Sequence, residues 1–204
     1  MFRSCCAATV RCMTELARTA RLDILVEGYV RPPNVAGTVS LIRDADRVVL
    51  VDPGMVADRE LILRPLRELG VRPDDVTDVV VSHHHLDHTL NIALFPAVPV
   101  HDFQSVIDGD VFTRRGAEGT QITPSIRLHA TPGHTPQDIT TLVGTAEDTV
   151  ALTHLWWTEE GPADDPYSLD REELRQQRER VLELATLIVP GHGAPFRPGS
   201  SNPR

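Results

Sequence analysis

The positions of apolar residues along the chain predict groups of strands separated by helices. Short runs rich in β-branched residues are typical of strands, whereas apolar residues spaced three and four apart indicate helices. We predict strands over residues 22–30, 37–43, 47–51, 76–81, 98–100, 126–130, 140–143, 149–152 and 187–189. The first two are expected to be joined by a turn that contains Pro32, Pro33 and Asn34, and 140–143 is expected to form a hairpin with 149–152.

Two segments have the spacing of helices. Residues 57–69 form the first, with Pro65 expected to shorten or kink it and Gly70 suited to its C-terminal cap. Residues 168–185 form a second, highly charged helix with Ser168 as its N-cap. Because the strands come in groups with helices between the groups, the pattern favours a layered α/β fold over strict strand–helix alternation.

The two ends of the chain lack such patterns. We expect residues 1–20 to form a disordered tail, residues 21–198 to form one domain, and residues 199–204 to be frayed. The three cysteines of the chain are Cys5, Cys6 and Cys12, and all of them lie in the predicted tail. We therefore expect no disulfide framework.

The composition is that of an ordinary globular protein. The chain has 204 residues, of which 41% are hydrophobic, and its net charge is −9 from 20 basic and 29 acidic side chains. This net negative charge argues against a general nucleic-acid-binding protein, which needs a basic surface. No apolar run reaches the ~20 residues of a membrane span and no signal-peptide pattern is present, so we expect a cytoplasmic protein with no membrane contact.

Histidines are concentrated in one short run directly after the predicted strand 76–81. The run is His83-His84-His85-Leu86-Asp87-His88. A loop leaving a buried strand can point His83 and His85 at one centre and turn Asp87 and His88 toward a neighbouring centre. Imidazole and carboxylate donors together suit zinc and similar divalent ions. An isolated histidine is usually structural, but four potential ligands within six residues are hard to explain in that way.

Two further histidines follow predicted strands in turns that contain proline and glycine. His134 follows strand 126–130, and His192 follows strand 187–189. Glycine and proline in strand-end loops allow close backbone approach and hold side chains rigidly. Each Gly-His pair is a weak signal alone and gains its value from the cluster.

These motifs together resemble those of the metallo-β-lactamase superfamily over residues 22–197. The shared features are the HxHxDH run at 83–88, the D-x-G turn at 52–54, and the two later histidines. The resemblance implies a four-layer αββα sandwich with metal at one edge. It also implies one metal on His83, His85 and His134, and a second on Asp87, His88 and His192. Zinc is the expected cofactor, as one or two ions, with iron or manganese as alternatives.

A closer resemblance is to the subgroup typified by metallo-β-lactamase domain-containing protein 1 of animals. The shared segments include Glu27-Gly28-Tyr29, Gln137-Asp138 and Gly193-Ala194-Pro195-Phe196-Arg197. Membership in this subgroup implies a compact single domain and leaves open a nuclease that acts on RNA.

One position departs from the superfamily pattern. The superfamily normally has an aspartate after the strand here predicted at 149–152, where its carboxylate bridges both metals, but this chain has His154. One imidazole nitrogen cannot bridge two metals as a carboxylate does. Three outcomes are open: His154 ligates one metal only, the site holds a single metal, or His154 supports the ligands from behind.

Other residues are expected around the ligands rather than among them. A ligating histidine usually donates its other N–H to a carboxylate or carbonyl, and Asp52 and Asp102 are candidates for that role. His101 is expected beside the site, and Trp156 and Trp157 either wall a pocket or belong to the core. His84 and His129 are expected at the surface or behind the ligands.

The chemistry implied is hydrolysis by metal-activated water, with Asp87 orienting the water or taking its proton. The acidic segment 158–170 disfavours a phosphate backbone, and the chain ends soon after His192, without the extra domains used by relatives for larger substrates. A small ester, thioester, lactone or amide is therefore expected. An RNA phosphodiester is the second option, and a non-catalytic metal-binding or ligand-sensing protein is the third. A homodimer is left open.

Overall fold

The computed structural model describes residues 16–204, and most of their strands belong to two facing mixed sheets. The first sheet has seven strands in the order β1-β4-β5-β6-β7-β8-β9. Their bounds are β1 Arg21–Val26, β4 Val39–Asp44, β5 Arg47–Val51, β6 Asp78–Val80, β7 Val100–His101, β8 Ser105–Asp108 and β9 Val111–Arg114. The second sheet has five strands in the order β10 Gln121–Thr123, β11 Ile126–Ala130, β12 Ile139–Gly144, β13 Thr149–Thr153 and β14 Leu187–Pro190.

Three hydrophobic clusters define the layers. The central cluster joins the sheets, with Ile42 and Val80 from the first and Leu128 and Val150 from the second. A second cluster packs Ile62 and Leu66 of α1 (Glu60–Glu68) on the outer face of the first sheet. A third packs Leu174 and Val181 of α3 (Arg171–Leu184) on the outer face of the second sheet. The fold is therefore the expected αββα sandwich.

The helices begin and end close to the predicted positions. Pro65 lies inside α1, and Gly70 follows that helix with a φ of 74°. The predicted cap of α3 was wrong, because the carboxylate of Asp170, not Ser168, accepts the N–H groups of Glu172 and Glu173. A carboxylate at this position also interacts favourably with the helix dipole. A short helix, α2 (Leu86–Thr89), and 3₁₀ turns at Pro73–Asp75 and Ile92–Leu94 complete the helical elements of the described chain.

The strand predicted over residues 22–30 is interrupted, and the turn expected after it, at Pro32 and Pro33, is the tip of a separate small hairpin. The first segment divides into β1 and β2 (Tyr29–Arg31), and β2 pairs with β3 (Asn34–Ala36) in a separate two-stranded sheet. The main-sheet partner of β1 is β4. Gly28 lies at the division, where a Cβ would meet the Ala36 and Gly191 carbonyl oxygens at 2.8 Å. The chain can bend there because glycine lets backbone pack closely.

Several short strands have no clear sequence signal. All four residues of β9 are exposed, β8 and β10 have one buried residue each, and β10 has only three residues. An alternating pattern arises when one face of a strand is buried, and none of these strands shows that alternation.

Both ends of the described chain pack on the domain. Ala17 N–H donates to Pro124 O at 2.9 Å, and Thr19 Oγ1 donates to Asp44 Oδ1 at 2.6 Å, so contacts begin before the expected boundary at residue 20. Asn202 is buried and its amide donates to Glu159 O at 3.2 Å. The expected tail over residues 1–15, with its three cysteines, lies outside the described residues. Within residues 16–204 no helix has the length and apolar character needed to cross a bilayer.

Candidate metal centre

Seven donor side chains converge where four strands of the sandwich end. They follow β6, β11, β13 and β14, and they are His83, His85, Asp87, His88, His134, His154 and His192. The residues form three overlapping triads, in each of which the donor atoms lie within 4.8 Å of one another. The first triad is His83, His85 and His134, the inner triad is His83, His88 and His154, and the second triad is Asp87, His88 and His192.

The closest distances between donors are short. His85 Nδ1 lies 3.0 Å from His83 Nε2 and 3.1 Å from His134 Nε2. Asp87 Oδ2 lies 3.5 Å from Nε2 of both His88 and His192. Zinc–nitrogen bonds of about 2 Å separate neighbouring ligand atoms by little more than 3 Å. The spacing is therefore that of atoms able to share a divalent ion.

In four of the imidazoles, Nδ1 faces away from the cluster and has an oxygen atom at 2.8–3.0 Å. His83 Nδ1 lies 3.0 Å from Ser82 Oγ, and His192 Nδ1 lies 2.8 Å from Ala36 O. His88 Nδ1 lies 2.9 Å from Asp52 Oδ2, and His134 Nδ1 lies 2.8 Å from Asp165 Oδ2. Such contacts orient a ligating imidazole and fix which nitrogen faces the metal, and all four leave Nε2 toward the cluster.

The turn at residues 52–54 holds this arrangement through close backbone contacts. Asp52 has a φ of 53°, and its Oδ1 accepts the Ser82 N–H at 2.7 Å. A Cβ on Gly54 would lie 1.7 Å from Asp87 O, so only glycine fits against the ligand loop. Asp52 thus supports the cluster from behind, as expected from the sequence.

His154 lies inside the cluster. Its Nε2 is 3.1 Å from His192 Nε2, its side chain is buried, and its ring stacks at 4.0 Å on that of His134. A Cβ on Gly191 would lie 2.2 Å from His154 Cδ2, so the imidazole occupies space that glycine leaves open.

Burial keeps most of these imidazoles neutral. It lowers the pKa of His83 and His154 well below the usual range, and neighbouring imidazoles lower both further. Burial, reinforced by His88, lowers the pKa of His192 to about 4. Burial also lowers the pKa of His88, but the Asp52 carboxylate outweighs it and the net pKa is raised. Neutral imidazoles have free lone pairs, which metal binding requires.

Several predicted residues lie elsewhere. His101 is bound to Asp78 at 2.9 Å within the first sheet, away from the cluster. Trp156 is fully buried in the core against Phe196 and donates its N–H to Pro203 O, so it does not line the pocket. The Asp102 carboxylate lies 3.2 Å from His84 Nε2, and His84 belongs to none of the triads. His129 Nδ1 lies 3.3 Å from Glu118 Oε1, and His129 is in none of the triads either.

The sequence analysis missed most of the residues that wall the pocket. A cavity of about 420 Å³ opens onto the donors and is lined by Val30, Val35, Leu86, Trp157 and Tyr167 in addition to five of the seven donors. Trp157 and Tyr167 have their rings 5.9 Å apart and inclined by 30°. Trp157 was one of two tryptophans expected to wall a pocket or to lie in the core. The only sequence signal of Tyr167 is aromatic character within an acidic segment, and the valines come from the unpredicted hairpin of β2 and β3.

A buried arginine holds the segment that carries these aromatic residues. Arg178 of α3 is fully buried, and its guanidinium donates to the carbonyl oxygens of Leu155, Pro162 and Ala163 at 2.7–2.9 Å. The segment between these carbonyls contains Trp157 and leads into Asp165. A residue of the outer helix layer thus anchors the pocket wall.

The donors fit a divalent metal. His88 Nε2 and His154 Nδ1 are buried and have no hydrogen-bond partner among the described residues. Buried polar atoms are normally satisfied, so unpartnered ones inside a cluster of imidazole donors fit a metal ion as their partner. Imidazole nitrogens with one carboxylate are a typical donor set for zinc and other divalent ions.

Two facing sheets with outer helices and a histidine-rich donor cluster at the strand ends define a class of metal-binding αββα proteins. The sequence model of the metallo-β-lactamase superfamily matches residues 32–101. Metallo-β-lactamase domain-containing protein 1 of Xenopus laevis is 35% identical over 86% of this chain and 81% of its own length. The Homo sapiens protein of that name is 37% identical over 81% of this chain and 66% of its own length. The chain therefore belongs to the metallo-β-lactamase superfamily, in the group of metallo-β-lactamase domain-containing protein 1.

Solved structures agree with this fold. A crystal structure from Thermotoga maritima described as a metallo-β-lactamase has a TM-score of 0.71 and 25% identity, covering 89% of this chain and 100% of that chain. A quorum-quenching N-acyl homoserine lactone lactonase has a TM-score of 0.61 and 19% identity, covering 83% of this chain and 88% of that one. The superfamily includes metal-dependent hydrolases, and this general class is the one that fold and site support.

Proposed function

We propose that this protein is a metal-dependent hydrolase of a small neutral ester, thioester, lactone or amide. The observation that carries the proposal is the position of the donor cluster at the base of a cavity whose other walls are apolar and aromatic. A divalent ion bound there would supply a Lewis acid that lowers the pKa of its water to about 7. Zinc suits the donors best.

Asp87 is the residue proposed to handle the proton. Within the described part of the chain it is the one carboxylate that lines the cavity, and its side chain is 17% exposed. The N–H groups of Gly37 and Met55 both donate to its backbone oxygen at 3.1 Å, which fixes the loop that presents the carboxylate. A general base must lie within hydrogen-bond reach of the water it deprotonates, and Asp87 faces the space where that water would lie.

The cavity lining favours a neutral substrate over RNA. Among residues 16–204 no arginine lines it, and Asp87 adds negative charge at its base. A phosphate backbone is bound mainly by basic side chains, which this wall lacks. In one neighbour in fold, an N-acyl homoserine lactone hydrolase, the product is bound at the catalytic metal centre, which supports a small acyl compound.

The test is turnover by the zinc-loaded protein on a panel of esters, thioesters, lactones, amides and single-stranded RNA. We expect hydrolysis of at least one acyl compound, and a loss of about 100-fold or more in kcat for Asp87→Asn with zinc still bound. Faster cleavage of RNA than of any acyl compound would favour the nuclease alternative. Bound zinc with no turnover on any substrate would favour the sensor.

A further inference from the structure

β9 is an edge strand whose outer side is open. It ends the first sheet, pairs only with β8, and has all four of its residues exposed, with Val111 at 58% and Phe112 at 54%. Edge strands offer unpaired N–H and C=O groups to other strands, and proteins commonly protect them with proline, a bulge or a covering segment. β9 has no proline, its pairing with β8 has no bulge, and no part of residues 16–204 covers it. Such a strand is suited to pairing with another chain.

Phe112 ends an apolar row that crosses the first sheet. The residues directly opposite one another in β5, β6, β7, β8 and β9 are Leu50, Val79, Val100, Ile107 and Phe112. Opposite residues lie on the same face of a sheet, and the first three belong to the cluster beneath α1. Leu50 and Val79 are fully buried, whereas Val100 and Ile107 are half-buried and line a cavity of about 220 Å³. The row therefore stops at an aromatic ring that residues 16–204 leave in solvent.

The hairpin of β8 and β9 fixes which backbone groups of β9 point to the open edge. Its loop is Gly109-Asp110, and the residues of a strand in such a hairpin bond alternately toward the partner strand and away from it. The Arg115 N–H donates to Gln104 O at 2.7 Å, so the odd-numbered residues bond toward β8. The N–H and C=O groups at the open edge are therefore those of Phe112 and Arg114.

Opposite charges flank Phe112 at equal distances along the chain. Asp110 lies two residues before it and Arg114 two residues after it, and both are exposed. Within residues 16–204 neither of them forms an ion pair. When two antiparallel copies of β9 pair with Phe112 opposite Phe112, Asp110 of each copy lies beside Arg114 of the other. The edge is thus complementary to itself about a two-fold axis, as the interface of a symmetric dimer requires.

We propose that β9 is the interface of a homodimer in which two copies of β9 pair antiparallel and join the two first sheets into one. The two Phe112 rings meet at the two-fold axis, and an Asp110–Arg114 ion pair lies on each side of them. Each apolar row then continues into the other copy, which buries the ring that ends it. No residue of β9 lines the cavity at the donor cluster, so the inference does not depend on metal or substrate.

The experiment measures the oligomeric state of the full chain by sedimentation velocity over a range of concentrations, with a reductant present so that cysteines form no disulfides. We expect a concentration-dependent species of twice the 22.5 kDa chain mass. Asp110→Arg and Arg114→Asp each place like charges beside one another, and each should weaken dimerisation about 10-fold or more. The double variant Asp110→Arg/Arg114→Asp restores opposite charges and should restore the dimer.

Asp46→Arg is the matched control, because Asp46 is an exposed turn aspartate of the same sheet, between β4 and β5. It should dimerise as the wild type does. All substituted side chains are exposed, and circular dichroism checks that each variant is folded.

Three results would overturn the proposal. The first is a wild type that stays monomeric at several hundred micromolar. The second is a dimer that the β9 variants leave unchanged, since it would use another surface. The third is a dimer that both single variants lose and the double variant does not regain, since Asp110 and Arg114 would then not face each other. None of these results would affect the proposed hydrolase activity, which is measured separately by turnover.

Discussion

His134 Nδ1 lies 2.8 Å from Asp165 Oδ2, and the Asp165 side chain is completely buried. The same carboxylate oxygen accepts the Trp157 indole N–H at 2.7 Å. Burial raises the pKa of Asp165, but hydrogen bonds led by that with His134 outweigh it, and the net pKa is lowered. A charged carboxylate from the acidic segment thus orients a candidate metal ligand and one wall of the cavity together.

We predict that Asp165→Asn weakens zinc binding by about 10–100-fold, the usual effect of losing a carboxylate behind a ligating histidine. The measurement is competition for zinc against a chelating dye. The matched control is Asp164→Asn, since the Asp164 side chain is 71% exposed and forms its ion pair with Arg171, away from the histidines. Equal zinc affinities for the two variants would refute the role of Asp165.

Gly191 is expected to be needed for the position of His154. In Gly191→Ala the new Cβ would lie 2.2 Å from His154 Cδ2, so the ring must shift. We predict a loss of about 1–3 kcal/mol in unfolding free energy from overpacking, together with weaker zinc binding. Gly116→Ala is the control, because a Cβ there meets nothing within 4 Å. Urea unfolding and zinc titration of both variants test this, and wild-type values for Gly191→Ala would contradict it.

Asp138 is expected to make stability fall as pH rises through mildly acidic values. Burial raises its pKa from 3.8 to about 6, although the Thr135 hydroxyl and N–H both donate to it. Between about pH 4 and 6 the folded protein holds a proton that the unfolded chain has lost. Stability from this group is therefore full below pH 4 and declines by about 3 kcal/mol up to pH 6.

The check is urea unfolding of metal-free protein at several pH values between 4 and 7, for the wild type and Asp138→Asn. Other groups titrate equally in both proteins, so the difference between the two curves isolates Asp138. We expect the variant to gain stability relative to the wild type as pH rises. Parallel curves would show that Asp138 has an ordinary pKa.

Arg178 is predicted to contribute strongly to stability. Arg178→Ala removes the donor of three carbonyl oxygens, of which that of Leu155 is buried, and leaves a cavity in place of a fully buried side chain. We expect this to cost about 2–5 kcal/mol of unfolding free energy. Arg175→Ala removes an arginine from the exposed face of the same helix, where its partners are Glu172 and Glu179, and should change stability little. Chemical unfolding of both variants measures the difference in their unfolding free energies. Trp157 fluorescence should also change in Arg178→Ala, because the segment that carries this indole loses its anchor.

The sequence predicted the layers of the fold and most of the residues that converge. Buried strands such as β5 and β6 have continuous apolar runs, and the helices have regular spacing, so local pattern was enough. The donors follow strand ends in recognisable motifs, and strands of one sandwich end at a common edge. Their binding of metal stays a prediction, while their convergence is a structural finding.

By itself, the amino-acid sequence determined a layered α/β arrangement and the residue types gathered at its edge, because periodicity and short motifs act over a few neighbouring residues. The αββα sandwich was implied by the family resemblance of those motifs. Only the tertiary structure decided what surrounds them. Asp165, Tyr167 and the valines of β2 and β3 reach the cluster through long-range packing, and Trp156 turns into the core while Trp157 faces the cavity. Adjacent residues in an irregular segment point in directions set by distant partners such as Arg178, and no local pattern records that choice.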